Sequence, residues 1–360
     1  MATSDNGHRP FPEDLDRNIL VKLPVKSLLR FKCVCKNWYT LIKNPNFIKE
    51  HLNNCSKNKC LQLLIYDYGA SDGSPPITLI SDQGVFPLHE NPDYFQRFRG
   101  MTNILIGSVD GIYLLERVSD DKYSYALWNP AIREVRPLPK PKMPFSTREG
   151  FFGCGLDPLS NGYKLVYFIK NIYAAVYSCS RDSWRIFEFT FRIFHPAKNC
   201  IVRFALGTAY LNGAYYWMIN EYTPEGVKCS FLSFDFSNEV FGEIDGPVHY
   251  SVSKMPILFD DSVALLDYCE DFVYDIWVMI RPGVWNKRFT FQCFPYFKCW
   301  YSSTVIFVTR GSRLVSYNVK TQKTTRLGLS YPGLKRFSYE DRCAVYPYKE
   351  SLVAIKRENE

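Results

Sequence analysis

The chain has 360 residues, of which 46% are hydrophobic and 22% are charged, and its formal net charge is +8. This composition is that of a globular protein with room for a small module and one large or two ordinary domains. The first ten residues lack the apolar stretch of a signal peptide, and no apolar run approaches the length of a membrane span. Lys and Arg form no run of the kind that binds nucleic acid, so neither a membrane nor a nucleic acid is expected as a partner.

The 12 cysteines and five histidines follow no paired metal-ligand spacing. Without a secretion signal, the cysteines are expected to be reduced thiols. We therefore expect no metal and no cofactor. The expected location is the cytoplasm, with the nucleus as the alternative.

Residues 11–52 follow a tail, residues 1–10, that is expected to be disordered, and they predict four short helices. In the first helix apolar residues repeat at helical spacing from Leu15 to Leu23, and Pro24 ends it. Two further helices and a short fourth turn follow. About forty residues of short helices cannot bury all of their apolar side chains against one another. Some of these side chains must therefore face the rest of the protein or a partner.

The stretch also has a recognisable order of residues, namely Pro12, Leu23-Pro24, the run Val25–Val34, Lys36, Trp38, Leu41-Ile42, Pro45 and Phe47. Through these residues it resembles an F-box. It implies that residues 11–52 dock on the small Skp-type adaptor of an SCF-type cullin–RING ubiquitin ligase, and through it on the cullin and RING subunits. The residues implied to bind the adaptor are Phe11, Pro12, Leu15, Leu23, Pro24, Leu28, Leu29, Val34 and Trp38.

Two positions depart from the family pattern. Phe11 stands where the family usually has leucine, and Asp16 stands where an apolar residue is frequent. Because a buried carboxylate is costly, Asp16 is expected either to face water or to weaken adaptor binding.

A short polar linker, residues 53–61, leads to a remainder that repeats. From about residue 60 onward a strand, a polar turn and a second strand recur, and the leading aromatic residues are Trp128, Tyr177, Phe234, Trp277 and Tyr317. A drifting period of about 40–57 residues with paired strands is typical of propeller blades of WD40 or kelch size. We expect about five to six blades, with Trp128, Tyr177, Phe234 and Tyr317 on equivalent strands. An irregular β-sandwich is the alternative.

The predicted fold is thus a small all-α F-box module followed by an all-β, kelch-like β-propeller over residues 62–360. A second resemblance agrees with this fold. The motifs that resemble the plant F-box-associated interaction domain include Trp128-Asn-Pro130, Gly153-Cys-Gly155, Tyr163-Lys-Leu-Val166, Ser183-Trp-Arg185, Tyr216-Trp217 and Leu232-Ser-Phe-Asp235. The order of the two modules is that of a large plant family. The segment from Cys33 to Trp38 and the C-terminal stretch resemble its S-locus F-box group, which implies S-RNases as targets and a role in self-incompatibility.

Motifs of catalysis are absent from the sequence. It contains no G-x-S-x-G, no H-E-x-x-H and no phosphate-binding P-loop. The pair Gly153 and Gly155 is too short for a dinucleotide-binding loop, and we interpret it as a turn or bulge between blades. We therefore expect no enzyme activity and no catalytic residue.

One acidic segment stands out. Between Asp260 and Asp275 there are six acidic residues and no Lys or Arg. The simpler interpretation is a solvated loop. The functional interpretation is an acidic patch formed by Asp260, Asp261, Glu270 and Asp271, which would attract a basic target such as an S-RNase.

Together these patterns predict the substrate-recognition subunit of a ubiquitin ligase. The helical segment would bind the adaptor, and the propeller would hold a target protein near the ubiquitin carrier, which raises the effective concentration of target lysines. Two alternatives remain open at this point. One is a lectin-like glycan receptor that uses an F-box, and the other is a propeller enzyme with carboxylates in its central tunnel.

Overall fold

The structure, a computed structural model, describes residues 13–57, 62–67, 77–81, 84–87, 102–119, 122–140, 150–159, 162–169, 173–192, 194, 199–203, 209–248, 253–292, 297–309, 313–330 and 343–355. The predicted tail 1–10 lies outside the described residues, as do Phe11 and Pro12. Within the described ranges, no helix has both the length and the apolar character needed to cross a membrane.

Four short helices open the described chain: α1 (Glu13–Leu20), α2 (Val25–Phe31), α3 (Lys36–Lys43) and α4 (Pro45–Lys57). Pro24 stands immediately before α2, where its fixed φ starts a new helix and cannot continue the previous one. The proline-separated helices that the sequence predicts are therefore present.

The fourth helix is longer than predicted, and it includes the first five residues of the predicted linker 53–61. The reason is that its inward face continues at helical spacing from Phe47 through His51 to Cys55. Phe47 and His51 are buried and Cys55 is partly buried. Histidine does not count as apolar in a simple hydrophobic pattern, so the pattern ends too early.

Strands make up the rest of the described chain. The first twelve are β1 (Leu63–Asp67), β2 (Ile77–Ser81), β3 (Gly84–Pro87), β4 (Thr102–Val109), β5 (Ile112–Ser119), β6 (Lys122–Asn129), β7 (Glu134–Pro137), β8 (Gly150–Leu156), β9 (Tyr163–Ile169), β10 (Tyr173–Ser178), β11 (Ser183–Glu188) and β12 (Asn199–Arg203). The others are β13 (Tyr210–Leu211), β14 (Ala214–Thr223), β15 (Gly226–Asp235), β16 (Val240–Asp245), β17 (Ser253–Phe259), β18 (Ser262–Tyr268), β19 (Val273–Arg281), β20 (Val284–Gln292), β21 (Phe297–Tyr301), β22 (Thr304–Val308), β23 (Arg313–Asn318), β24 (Lys323–Ser330) and β25 (Cys343–Pro347).

These strands form six antiparallel sheets, the blades of a β-propeller. Blade 1 contains β4–β7, blade 2 contains β8–β11, blade 3 contains β12–β16, blade 4 contains β17–β20 and blade 5 contains β21–β24. Blade 6 combines both ends of the domain, because β25 pairs with β1 ahead of β2 and β3. The β-propeller is confirmed with six blades, and the β-sandwich alternative is wrong.

The repeating aromatics occupy the positions that the sequence predicts. Trp128, Tyr177, Phe234, Trp277 and Tyr317 lie in β6, β10, β15, β19 and β23, which are the third strands of blades 1 to 5. A third strand has a neighbour on either side and blades on both faces, so it favours large apolar side chains. The prediction that Trp128, Tyr177, Phe234 and Tyr317 lie on equivalent strands is confirmed, and Trp277 lies on the corresponding strand of blade 4.

Gly153 and Gly155 form neither a turn nor a bulge, contrary to our interpretation. Both lie inside β8, the first strand of blade 2, and both pair regularly with β9. They are glycine because aromatic rings of the next blade pack directly against the backbone. A Cβ atom at Gly153 would lie 2.6 Å from the Trp217 ring and 2.9 Å from the Tyr215 ring.

Replacing Gly153 with alanine is expected to destabilise the propeller by about 1–3 kcal/mol, because neither buried ring has room to move aside. Gly107→Ala is the matched control. Gly107 lies in the first strand of blade 1, and its added Cβ would meet only the Tyr215 hydroxyl, at 3.6 Å. The urea midpoints of the two variants check this, and equal midpoints would contradict a steric role for Gly153.

The turn between the third and fourth strands recurs in four blades. The last residue of the third strand accepts, through its side-chain oxygen, a hydrogen bond from a backbone N–H two or three residues on. These acceptors are Asn129, Ser178, Asp235 and Asn318. Four residues after each acceptor stands a residue with positive φ, namely Arg133 (59°), Asp182 (51°), Glu239 (54°) and Gln322 (55°). The Asn, Asp and Ser residues of the sequence repeat therefore fix one turn geometry.

Three of these turns, those of blades 2, 3 and 5, also contact the preceding blade. Asp182 of blade 2 lies 2.8 Å from Arg136 of blade 1, and Glu239 of blade 3 lies 2.9 Å from Lys164 of blade 2. Lys320 of blade 5 forms an ion pair with Asp260 of blade 4. These contacts hold neighbouring blades in register at the same edge of the ring.

The Glu239 contact makes stability depend on pH. Burial raises the pKa of Glu239, but hydrogen bonds from Lys164 and Arg185 and their charges outweigh it, so the pKa lies below its usual value. The unfolded chain therefore takes up this proton first as the pH falls. The contribution of Glu239 to stability is complete above about pH 4.3 and disappears as the pH drops through the lowered pKa.

As the pH falls through this acidic range, we expect the free energy of unfolding to decrease less in Glu239→Gln than in the parent chain. The urea midpoint measured across that range checks it. Glu225→Gln, at an exposed turn between β14 and β15, is the control and should follow the parent curve. A Glu239→Gln curve that also coincides with the parent would overturn this prediction.

Candidate adaptor-binding surface

The helices bury one set of apolar side chains. Leu20, Val21, Val25, Leu28, Ile42 and Phe47 are each at most 3% exposed and pack into one cluster. Leu352, from the segment after β25, belongs to the same cluster, and Ala131 and Ile132 of the blade 1 turn pack against it. The helical module therefore lies against the propeller.

A second set of apolar side chains, on the helices and on the turn between α2 and α3, faces solvent. Leu15 is 47% exposed, Ile19 53%, Val34 62% and Tyr39 47%. Leu15 and Ile19 are one helical turn apart on α1, so they form a continuous stripe. Apolar side chains left exposed on a module that is otherwise packed mark a surface for a partner.

The residues predicted to bind the adaptor are divided between these two sets. Leu15, Pro24 and Val34 are exposed, and Leu23, Leu29 and Trp38 are partly buried. Phe11 and Pro12 are outside the described residues.

Leu28 is the exception, because it is 0% exposed and lies in the interior of this chain. It offers no surface to an adaptor in this structure. A charge placed at Leu28 would disrupt the fold of the module itself, so loss of binding by such a variant would not identify the interface.

The predicted stripe on α1 is also divided, because Leu15 and Ile19 face outward while Leu20 is buried. Ile19 and Tyr39 are exposed apolar residues that our sequence analysis did not assign to the adaptor. The spacing of four residues between Leu15 and Ile19 is the signal that could have identified Ile19.

Asp16 has a partner within the module. Its Oδ2 accepts a hydrogen bond of 3.0 Å from the indole Nε1 of Trp38, which joins α1 to α3. Trp38 also packs on Phe31, with ring centroids 5.2 Å apart. The carboxylate is therefore satisfied although it is partly buried, and an effect of Asp16 on adaptor binding stays a prediction.

Two further contacts hold the helices together. The imidazole Nε2 of His51 lies 2.9 Å from the backbone oxygen of Leu23, at the corner between α1 and α2. Arg17 donates two hydrogen bonds to Glu50, of 2.9 and 2.7 Å. That pair is about one-third exposed, so it contributes little stability and mainly orients α1 on α4.

The acidic residues predicted to attract a target do not form one patch. Asp260 and Asp261 lie in the turn before β18, whereas Glu270 and Asp271 lie in the turn after it. The turns at the two ends of a strand of seven residues are about 20 Å apart. The predicted patch is therefore wrong, because a hairpin sends successive turns to opposite edges of its blade.

The other acids of this segment are engaged inside blade 4. Asp267 and Asp275 are buried. Asp275 lies 2.7 Å from Lys287 and accepts a hydrogen bond of 2.6 Å from Thr290. Asp260 pairs with Lys320 of the next blade. The absence of Lys and Arg from the segment gives no sign of these pairs, because Lys287 comes from the next strand and Lys320 from a turn of the next blade.

Both parts of the chain match known protein families. The sequence matches the F-box domain over residues 11–50 and the F-box associated beta propeller domain over residues 85–355.

Individual relatives agree with these matches. A putative F-box protein of Arabidopsis thaliana is 26% identical over 318 residues, which is 79% of each chain. An F-box/kelch-repeat protein of the same plant is 26% identical over 77% of this chain and 78% of its own length. A putative F-box/kelch-repeat protein, also from Arabidopsis thaliana, is 25% identical over 87% of this chain and 81% of its own. Among solved structures, TolB from Acinetobacter baumannii has a TM-score of 0.43 at 9% identity over 79% of this chain and 69% of that one, too low to carry an argument.

Proposed function

We propose a function from one premise: this chain belongs to the F-box proteins that carry an F-box-associated beta-propeller domain. An F-box implies binding to a Skp-type adaptor within an SCF-type ubiquitin ligase. On this basis the chain is the substrate receptor of such a ligase, with residues 11–57 as the docking module, residues 58–61 as the connection and residues 62–360 as the target-binding domain.

The observation that carries this proposal is the exposed apolar surface of the helical module. Leu15, Ile19 and Val34 are exposed to solvent, while another set of apolar side chains of the same helical module is buried. Covering these three side chains would remove apolar area from water, which is the main driving force for association. We propose that they form the centre of the adaptor interface, together with Pro24.

The test is reconstitution of the purified full chain with a Skp-type adaptor, and then with the cullin and RING subunits. The expected result is a stable complex in size-exclusion chromatography and ubiquitin transfer to proteins that bind the propeller. An adaptor that does not bind the folded chain at micromolar concentration, where specific protein pairs of this kind associate, would refute the proposal.

We further propose that the chain performs no covalent chemistry itself and acts by holding its target. Its support is the family, in which an F-box is joined to an F-box-associated propeller. This arrangement suits a protein that binds an adaptor at one end and a target at the other. A cytoplasmic or nuclear location fits this role. The cysteines, which the sequence predicts to be reduced thiols, suit such a reducing compartment.

The finer hypothesis is that the target is an S-RNase in self-incompatibility. It is supported by the sequence resemblance to the S-locus F-box group. The acidic patch does not support it, because the four acidic residues lie in turns at opposite ends of β18. Direct binding to a panel of purified allelic S-RNases tests it. Binding to at least one allele is expected, and binding to none would direct the search to other target proteins.

A further inference from the structure

The segment that follows β25 is irregular in conformation but well packed. We call residues 348–355 the strap. Tyr348, Ser351, Leu352 and Ile355 are between 0% and 8% exposed. The strap begins beside β1, where the Tyr348 amide donates a hydrogen bond of 2.8 Å to the Gln62 oxygen.

Side chains of blade 1 bind the backbone of the strap. The Asn129 amide donates to the carbonyl oxygens of Ser351 and Val353, at 3.1 and 2.8 Å. The Ile355 amide donates to Glu134 at 2.8 Å, and its carbonyl accepts from Arg136 at 3.2 Å. The strap thus has a fixed path along the propeller, although it belongs to no sheet.

From this path the strap reaches into the helical module. The Leu352 side chain is 3% exposed and is part of the cluster formed by Leu20, Val25 and Leu28. Leu352 is the member of that cluster that does not come from the helices. The core of the module is therefore incomplete without a residue of the propeller.

The strap also supplies a hydrogen-bond acceptor for the N-terminus of α2, which the sequence of α2 and Pro24 does not provide. Pro24, the residue before α2, has no side-chain hydrogen bond to the helix, and the first turn of α2 contains no acidic residue. The Val25 amide instead donates a hydrogen bond of 2.8 Å to the Glu350 carboxylate, 325 positions away in sequence. A carboxylate at this end of a helix satisfies a free N–H group and interacts favourably with the helix dipole.

We propose that the strap joins the helical module and the propeller into one cooperative unit, with Leu352 and Glu350 as positioning residues for the adaptor-binding helices. The consequence for adaptor binding rests on the proposed function, whereas the structural coupling does not. The direction of the propeller relative to the adaptor is then set by the strap and the blade 1 turn, rather than by a flexible linker.

The first test compares Leu352→Asp with Ala354→Asp in the full chain. Ala354 is an exposed neighbour in the strap, so the two variants carry the same added charge. Hydrogen–deuterium exchange should show roughly 100-fold faster exchange of the α2 and α3 amides in Leu352→Asp, with the central strands of blades 2 to 5 unchanged. Ala354→Asp and the volume-conserving Leu352→Met should both exchange like the parent. Unchanged exchange of the helices in Leu352→Asp would overturn the proposal.

A milder variant covers the case in which Leu352→Asp unfolds the whole chain. Glu350→Ala removes the hydrogen-bond acceptor for α2 but leaves the apolar core intact, and Glu350→Gln retains an acceptor without the charge. We expect faster exchange at the start of α2 in Glu350→Ala, by roughly tenfold, and partial recovery in Glu350→Gln. Identical exchange in Glu350→Ala and the parent would contradict the role of Glu350.

Affinity for the purified Skp-type adaptor is the second readout. Leu352→Asp should bind at least roughly tenfold more weakly than Ala354→Asp, because its helices are populated less in the binding conformation. Parent-like affinity in Leu352→Asp would overturn the role of Leu352 in positioning the helices. If the parent itself does not bind the adaptor, the proposed function fails, while the exchange measurement still decides whether the strap couples the two parts.

Discussion

The double variant Leu15→Asp, Ile19→Asp is expected to lose roughly 100-fold or more in affinity for the Skp-type adaptor. Both side chains are about half exposed on one stripe of α1. Covering the exposed half of each contributes about 0.7–1.5 kcal/mol, and the substitution also brings two carboxylates into an apolar contact. Isothermal titration calorimetry with purified proteins measures the change.

The free energy of unfolding should change little in this variant, because neither side chain belongs to the buried core. Val240→Asp, Val284→Asp is the matched control. These valines are 55% and 41% exposed on the propeller, so the control makes the same charge change at similar exposure. If both double variants bind the adaptor like the parent, the exposed stripe on α1 is not the interface.

Replacing Arg136 with leucine is expected to lower the free energy of unfolding by about 3 kcal/mol, which is large for a single side chain. The guanidinium is almost completely buried and donates hydrogen bonds to Tyr177, Cys179 and Asp182 of blade 2 and to the Ile355 carbonyl. Leucine would leave the two carbonyls and the carboxylate without this partner. Urea unfolding measures the loss.

Arg185→Leu is the control for this prediction. Arg185 also pairs with an acidic residue of a turn between third and fourth strands, Glu239, but its side chain is 57% exposed. An exposed pair of this kind contributes at most about 1 kcal/mol. Equal losses in the two variants would mean that burial does not decide the strength of these contacts between blades.

The sequence was sufficient to predict the blades because each blade is built from local contacts. Strand, turn and strand follow one another within about 20 residues. The turn residues Asn129, Asp235 and Asn318 can be recognised because their side-chain oxygens accept hydrogen bonds from backbone N–H groups of the turn. The aromatic repeat misses blade 6, because its third strand is Ile77–Ser81 and its first strand comes from near residue 345. Pairing between segments so far apart leaves no periodic signal.

The docking surface was predictable only in part, for a related reason. Periodicity identifies the apolar residues of a helix, but it does not show which of two apolar faces is covered by the same chain. Leu28 and Leu15 are alike in the pattern, yet one is 0% and the other 47% exposed. The difference depends on the packing of α2 against the other helices and Leu352, which no local pattern contains.

The closure of the ring has a consequence for co-translational folding. The F-box is synthesised before the propeller, whereas Pro347, which pairs with Leu63 of β1, and the residues Glu350 and Leu352 follow only after blades 1 to 5. With the coupling proposed above, the docking module reaches its final form only after translation has passed residue 352. A transcript shortened by a premature stop codon or an altered splice site would encode the whole F-box motif and still yield a weak competitor for the adaptor. We therefore expect truncated genes of this kind to have no dominant-negative effect on ligase assembly.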